Sequence, residues 1–87
     1  MRKRTRFDII YEILKIALER DTTKGKIIQK ANINSKIASQ YVTFLIENEL
    51  IEEVLDKDKK IYRTTEKGKS LLSKFEDLLG AANSGSI

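Results

Sequence analysis

The chain predicts a mainly α-helical domain with one small β-hairpin, and three observations support this. Apolar residues recur at helical spacing in four separate segments. The tight turn Ala31-Asn32-Ile33-Asn34 separates the second segment from the third. Between the third and fourth, residues 49–55 and 61–65 are rich in β-formers and flank the charged run Asp56-Lys57-Asp58-Lys59-Lys60. At 87 residues the chain is one domain, small enough that oligomerisation often supplements its stability.

Residues 1–6, MRKRTR, carry Arg2, Lys3, Arg4 and Arg6 with almost no apolar content. They form either a solvated terminus or a basic arm that contacts phosphates or enters a minor groove. The main domain spans residues 7–65. Its first helix begins at Thr5 or Phe7 and ends near Arg20, with Phe7, Ile10, Ile13, Leu14, Ala17 and Leu18 on one stripe. Ile9, Tyr11 and Ile16 widen the stripe past half the circumference, so it needs cover on more than one side: from its own domain and, in part, from a second subunit. Asp21, Thr22 and Thr23 end that helix and offer caps to the next. The second helix, residues 24–31, turns Ile27, Ile28 and Ala31 inward and Lys24, Lys26 and Lys30 outward.

In the turn, Asn32 suits a left-handed conformation, Ile33 plugs the core, and Asn34 or Ser35 caps the third helix. Over residues 34–48, a rotation of about 100° per residue sets Ile37, Tyr41, Phe44, Leu45 and Asn48 on one face. Lys36, Ser39, Gln40, Thr43 and Glu47 occupy the opposite face. Two helices, a tight turn with an apolar plug and a longer amphipathic helix make a helix-turn-helix, and the hairpin at residues 50–65 is then its wing. The expected architecture is a winged helix-turn-helix: a three-helix core, a wing and a C-terminal helix.

That last helix spans residues 66–80, with Thr64 or Thr65 as its cap and Gly80 as its stop. Gly68, Leu71, Leu72, Phe75, Leu78 and Leu79 form a narrow stripe at near-heptad spacing. Nearly three turns of such a stripe suggest antiparallel or parallel pairing with the same helix of a second chain, through Leu71, Leu72, Phe75, Leu78 and Leu79, the alternative being packing solely on the first helix. Residues 81–87, AANSGSI, are expected to be a disordered tail.

Composition narrows the function. With no cysteine and no histidine there is no disulfide, no thiolate nucleophile, no usual zinc ligand and no base titrating near neutrality, so an enzyme is not expected. No metal, cofactor or small-molecule ligand is evident. Seventeen Lys+Arg against 13 Asp+Glu give a net charge of +4, a bias toward a polyanionic partner. No apolar run approaches the roughly 18 residues of a membrane span, and a cytoplasmic location is expected.

RFDIIYEILKIA at residues 6–17, KAN at residues 30–32 and Y-x-T-T-x-K-G at residues 62–68 carry a resemblance to small archaeal winged-helix DNA-binding proteins. These are regulators and chromatin-associated proteins that dimerise through a C-terminal helix. The resemblance covers about residues 5–79. It implies sequence-specific or architectural binding of double-stranded DNA by a homodimer on the nucleoid, with the third helix in the major groove and the wing at the adjacent backbone. The chain departs from the pattern in its short last helix, and in Asn48-Glu49 where many relatives have a glycine.

On this reading Ser35, Lys36, Ser39, Gln40 and Thr43 reach base edges, since glutamine bonds adenine and lysine bonds guanine. Arg2, Lys3, Arg4, Arg6, Lys24, Lys26, Lys30, Lys57, Lys59, Lys60 and Arg63 reach phosphates. The protein is then a transcriptional regulator, with sequence-nonspecific chromatin binding as an alternative. The rival from another class is a protein-interaction module, favoured by the acids Glu47, Glu49, Asp56 and Asp58 beside the would-be DNA surface.

Overall fold

The computed structural model describes residues 4–85, so Arg2 and Lys3 of the expected arm and the end of the expected tail lie outside the described residues. The elements run α1 (Arg6–Glu19), α2 (Lys24–Ala31), α3 (Ser35–Glu47), β1 (Ile51–Asp56), β2 (Lys59–Thr64) and α4 (Glu66–Gly85). The first helix starts where Thr5 and Asp8 form a reciprocal capping box: the Thr5 hydroxyl accepts from the Asp8 amide while the Asp8 carboxylate accepts from the Thr5 amide. It ends where Arg20 turns extended. Thr22 then pairs with Tyr62 by two backbone hydrogen bonds, 3.0 and 2.7 Å, laying the inter-helix segment along the hairpin as a single bridge.

Thr23 caps α2 through the Lys26 amide, and Asn32 closes it in the left-handed region at φ 55°. The Asn34 side chain accepts from the Ile37 amide and opens α3. At the far end the Asn48 side chain donates to the Phe44 carbonyl, and Glu49 itself takes φ 59° where a glycine would be unstrained. β1 and β2 pair antiparallel from Ile51 opposite Thr64 to Asp56 opposite Lys59. That register leaves Lys57 and Asp58 as a two-residue turn, both with positive φ, as a type I′ hairpin turn requires. Thr65 caps α4 by accepting from the Gly68 amide, and its hydroxyl donates to the Glu49 carbonyl.

The core is a single cluster. Ile13 and Leu14 of α1, Ile27 of α2, Leu45 of α3 and Ile51 of β1 are fully buried, joined by Ile10, Val42, Leu50, Tyr62 and Leu72. The buried Thr64 hydroxyl donates to the Leu14 carbonyl at 2.8 Å, so the polar atom carried into this core has a partner. Gly68 brings α4 against the α3 exit, where a Cβ would collide with the Leu50 carbonyl.

Four expectations are corrected. The inward face of α3 is Ala38, Val42 and Leu45, roughly one residue's rotation from the expected one, while Ile37 and Tyr41 lie on its flank and Phe44 is exposed. Ala38 and Ala31 are both fully buried where α2 and α3 pack, and small side chains there let the helices approach. Leu72, expected at a dimer interface, is 3 % exposed and belongs to the chain's own core. Gly80 does not stop α4, which continues in helical conformation to Gly85 and so takes in much of the expected tail. Glycine without a positive φ is only a weak breaker, and among the described residues no glycine has one. Phe7, expected on the inward stripe of α1, is 63 % exposed.

Candidate nucleic-acid interface

The outward side of α3 follows from its inward one. With Ala38, Val42 and Leu45 in the core, helical geometry directs Lys36, Gln40, Thr43 and Glu47 outward, and all four are exposed, as is Ser35 in the first turn. Ser39 sits at the edge, half-buried, and its hydroxyl accepts from the Lys24 ammonium at 2.7 Å. Lys24 and Ser39 are therefore partners of one another. The bond joins α2 to α3 beside the outward face.

The cations sort into engaged and available. Arg4 donates to the Glu12 carboxylate at 2.8 Å, to the Ala31 carbonyl and to the Asn32 carbonyl at 2.9 Å. It fastens the chain's start to the helix-turn-helix turn, which argues against the phosphate role expected of it. Arg63 is likewise engaged, 2.9 Å from Asp21 and 3.8 Å from Glu52, with its Nε buried and unpaired. Lys60 lies 3.8 Å from Glu53, although its side chain is largely exposed. Lys26 and Lys30 on α2 and Lys57 and Lys59 at the wing tip are exposed and make no ion pair among the described residues.

Arg6 borders a shallow cavity of about 290 Å³ with Ile37, Gln40, Tyr41 and Phe44. Sequence reasoning placed Phe44 inward. Counting Ala38 and Val42 as core positions, rather than weighting only the largest apolar residues, would have turned it out. At the base of the wing, the Tyr62 hydroxyl donates to Glu53 at 3.2 Å. Burial, followed by this hydrogen bond and the Glu53 charge, raises the Tyr62 pKa above its usual 10.0.

A second exposed surface lies where α1 meets α4. The Phe75 ring meets Phe7 and Tyr11 edge-on at centroid distances of 6.2 and 6.3 Å. Leu79 lines a shallow cavity with these three rings, Leu78 and Leu79 are 67 % and 54 % exposed, and Leu71 is half-buried against the core. Among the described residues, no group of three or more His, Cys, Asp or Glu could hold a metal ion, and no helix is long and apolar enough to cross a membrane.

Comparison with known proteins gives consistent matches. Residues 3–82 match the winged helix-turn-helix family. An uncharacterised protein of Methanocaldococcus jannaschii is 38 % identical over 82 residues, covering 94 % of this chain and 80 % of that protein. A second uncharacterised protein of the same organism is 37 % identical over 76 residues, covering 87 % of this chain but 34 % of its own length. Among solved structures, Sso10a-2, a DNA-binding protein from Sulfolobus solfataricus, superposes with a TM-score of 0.79 at 28 % identity, over 93 % of this chain and 84 % of that one. The transcriptional repressor BigR from Xylella fastidiosa shares the fold, with a TM-score of 0.71 at 21 % identity over 85 % and 74 % of the two chains.

Proposed function

Because this chain belongs to the winged helix-turn-helix family, we propose that it is a non-enzymatic, double-stranded DNA-binding protein that acts as a homodimeric transcriptional regulator on the nucleoid. The observation that carries the proposal is the exposed face of α3, where Ser35, Lys36, Gln40 and Thr43 offer hydrogen-bonding groups to base edges. Lys26 and Lys30 on α2 and Lys57, Lys59 and Lys60 on the wing supply phosphate contacts, and Lys24 with Ser39 holds the reading helix in place. The likeness to Sso10a-2, itself a DNA-binding protein, supports the same reading. Dimerisation is drawn from the apolar surface of Phe7, Phe75, Leu78 and Leu79, which a second copy of the same surface would cover.

Fluorescence anisotropy on a labelled random duplex across a salt series tests the proposal. Affinity should fall steeply with salt, with a logarithmic slope of about 0.9 per phosphate neutralised. Absence of binding at low salt, or binding indifferent to salt, would overturn it. That outcome would favour the protein-interaction reading, for which Glu47 and Glu49 beside the reading face are the supporting feature.

A further inference from the structure

We propose that Phe44 reads the 5-methyl group of a thymine in the major groove, beside the base edge that Gln40 bonds. This inference rests on the DNA-binding reading and adds a specificity-determining residue to it. Phe44 is 44 % exposed on a helix whose core positions are Ala38, Val42 and Leu45. It lies one helical turn beyond Gln40, so the two side chains are neighbours on the same surface.

The surroundings match such a ligand. Arg6, Gln40 and Phe44 border one shallow cavity with Ile37 and Tyr41, which brings together a cation, a primary amide and an apolar wall. Neither the Arg6 guanidinium nor the Gln40 amide makes a side-chain hydrogen bond or ion pair among the described residues. An A·T-containing step presents the complementary set: the donor and acceptor pair of adenine for the amide, the thymine methyl for the ring, and a flanking phosphate for the guanidinium. Charge favours this occupant over a second copy of the chain. A symmetric contact through the same cavity would bring two copies of Arg6 into one interface, with no acid in the cavity lining to pair them, in a protein already at +4.

The test is a cycle of two proteins and two duplexes. Wild type and Phe44→Ala are titrated by anisotropy onto an alternating A·T duplex and onto the same duplex with deoxyuridine in place of thymidine, which removes only the methyl groups. Wild type should bind the thymine form about fourfold tighter, the worth of one buried methyl-sized group. For Phe44→Ala the ratio should fall to about one, with salt dependence retained. Phe44→Gln carries the same test should alanine impair folding, and circular dichroism monitors the fold of both variants. Equal ratios in wild type and variant, alongside salt-dependent binding, overturn the methyl contact and leave DNA binding standing. A variant that loses its dimeric mass while keeping the ratio also overturns it, in favour of an interface between copies. Failure of wild type to bind any duplex at low salt overturns both readings.

Discussion

Gly68 has a role that its place in an apolar stripe does not reveal. The stripe suggested a small member of a helix-pairing seam, whereas the structure uses the missing side chain to let α4 cross the α3 exit. A Cβ there would meet the Leu50 carbonyl and lie 2.6 Å from the Thr64 methyl. Because the nearest obstacle is backbone, Gly68→Ala should destabilise the fold by about 2 kcal/mol, read from urea midpoints. A loss below roughly 0.5 kcal/mol would show that the crossing yields easily. Tyr62 makes a prediction in pH. Its folded pKa is raised above 10.0, so above pH 10.0 the unfolded chain releases the phenolic proton while the folded one retains it. The corresponding stability is full below that value and is lost as pH rises through the folded pKa. Urea midpoints measured on either side of pH 10.0 should decline for wild type more steeply than for Tyr62→Phe.

At the scale of elements, much was legible because local chemistry determined it. The bounds of α2, the left-handed Asn32 and the Asn34 cap all follow from side chains that satisfy backbone groups within a few residues, and these sit where the sequence suggests. The orientation of α3 was not legible in the same way. Its flank carries larger apolar residues than its core face, and the rotation is set by a close approach to α2 that Ala38 permits and periodicity alone does not weigh. The engagement of Arg4 and Arg63 was hidden for a similar reason: their acceptors, Ala31, Asn32 and Asp21, lie far off in sequence. The wing turn is legible as a turn but carries unfavourable residues, since Lys57 and Asp58 both adopt positive φ. Replacing them with Asn-Gly should stabilise the protein by about 1 kcal/mol. If Lys57 touches phosphate, the same change should weaken binding to all sequences alike and lower the salt slope by about 1. An unchanged thermal midpoint would count against the strain.

For the whole molecule, the architecture was readable from the order of its segments, while the division of the last helix between core and surface was not. Leu72 and Leu78 look equivalent in a heptad-like stripe, yet one is buried and the other mostly exposed. The packing of α4 on α1 and on the hairpin separates them. Leu78→Glu combined with Leu79→Glu should therefore halve the mass measured by light scattering while leaving the monomer folded. By contrast, Leu72→Ala should cost about 2–5 kcal/mol of stability, as core truncations do. A monomeric mass for wild type at working concentration would contradict the dimer. The bridge between Thr22 and Tyr62 bears on how rigidly the whole moves. Its two mutual backbone bonds tie the wing to the segment between α1 and α2, so the hairpin cannot swing away without breaking them. The amide protons of Thr22 and Tyr62 should show one shared protection factor against exchange with solvent, and the body of the wing keeps a set spacing from the helices along any surface the protein grips.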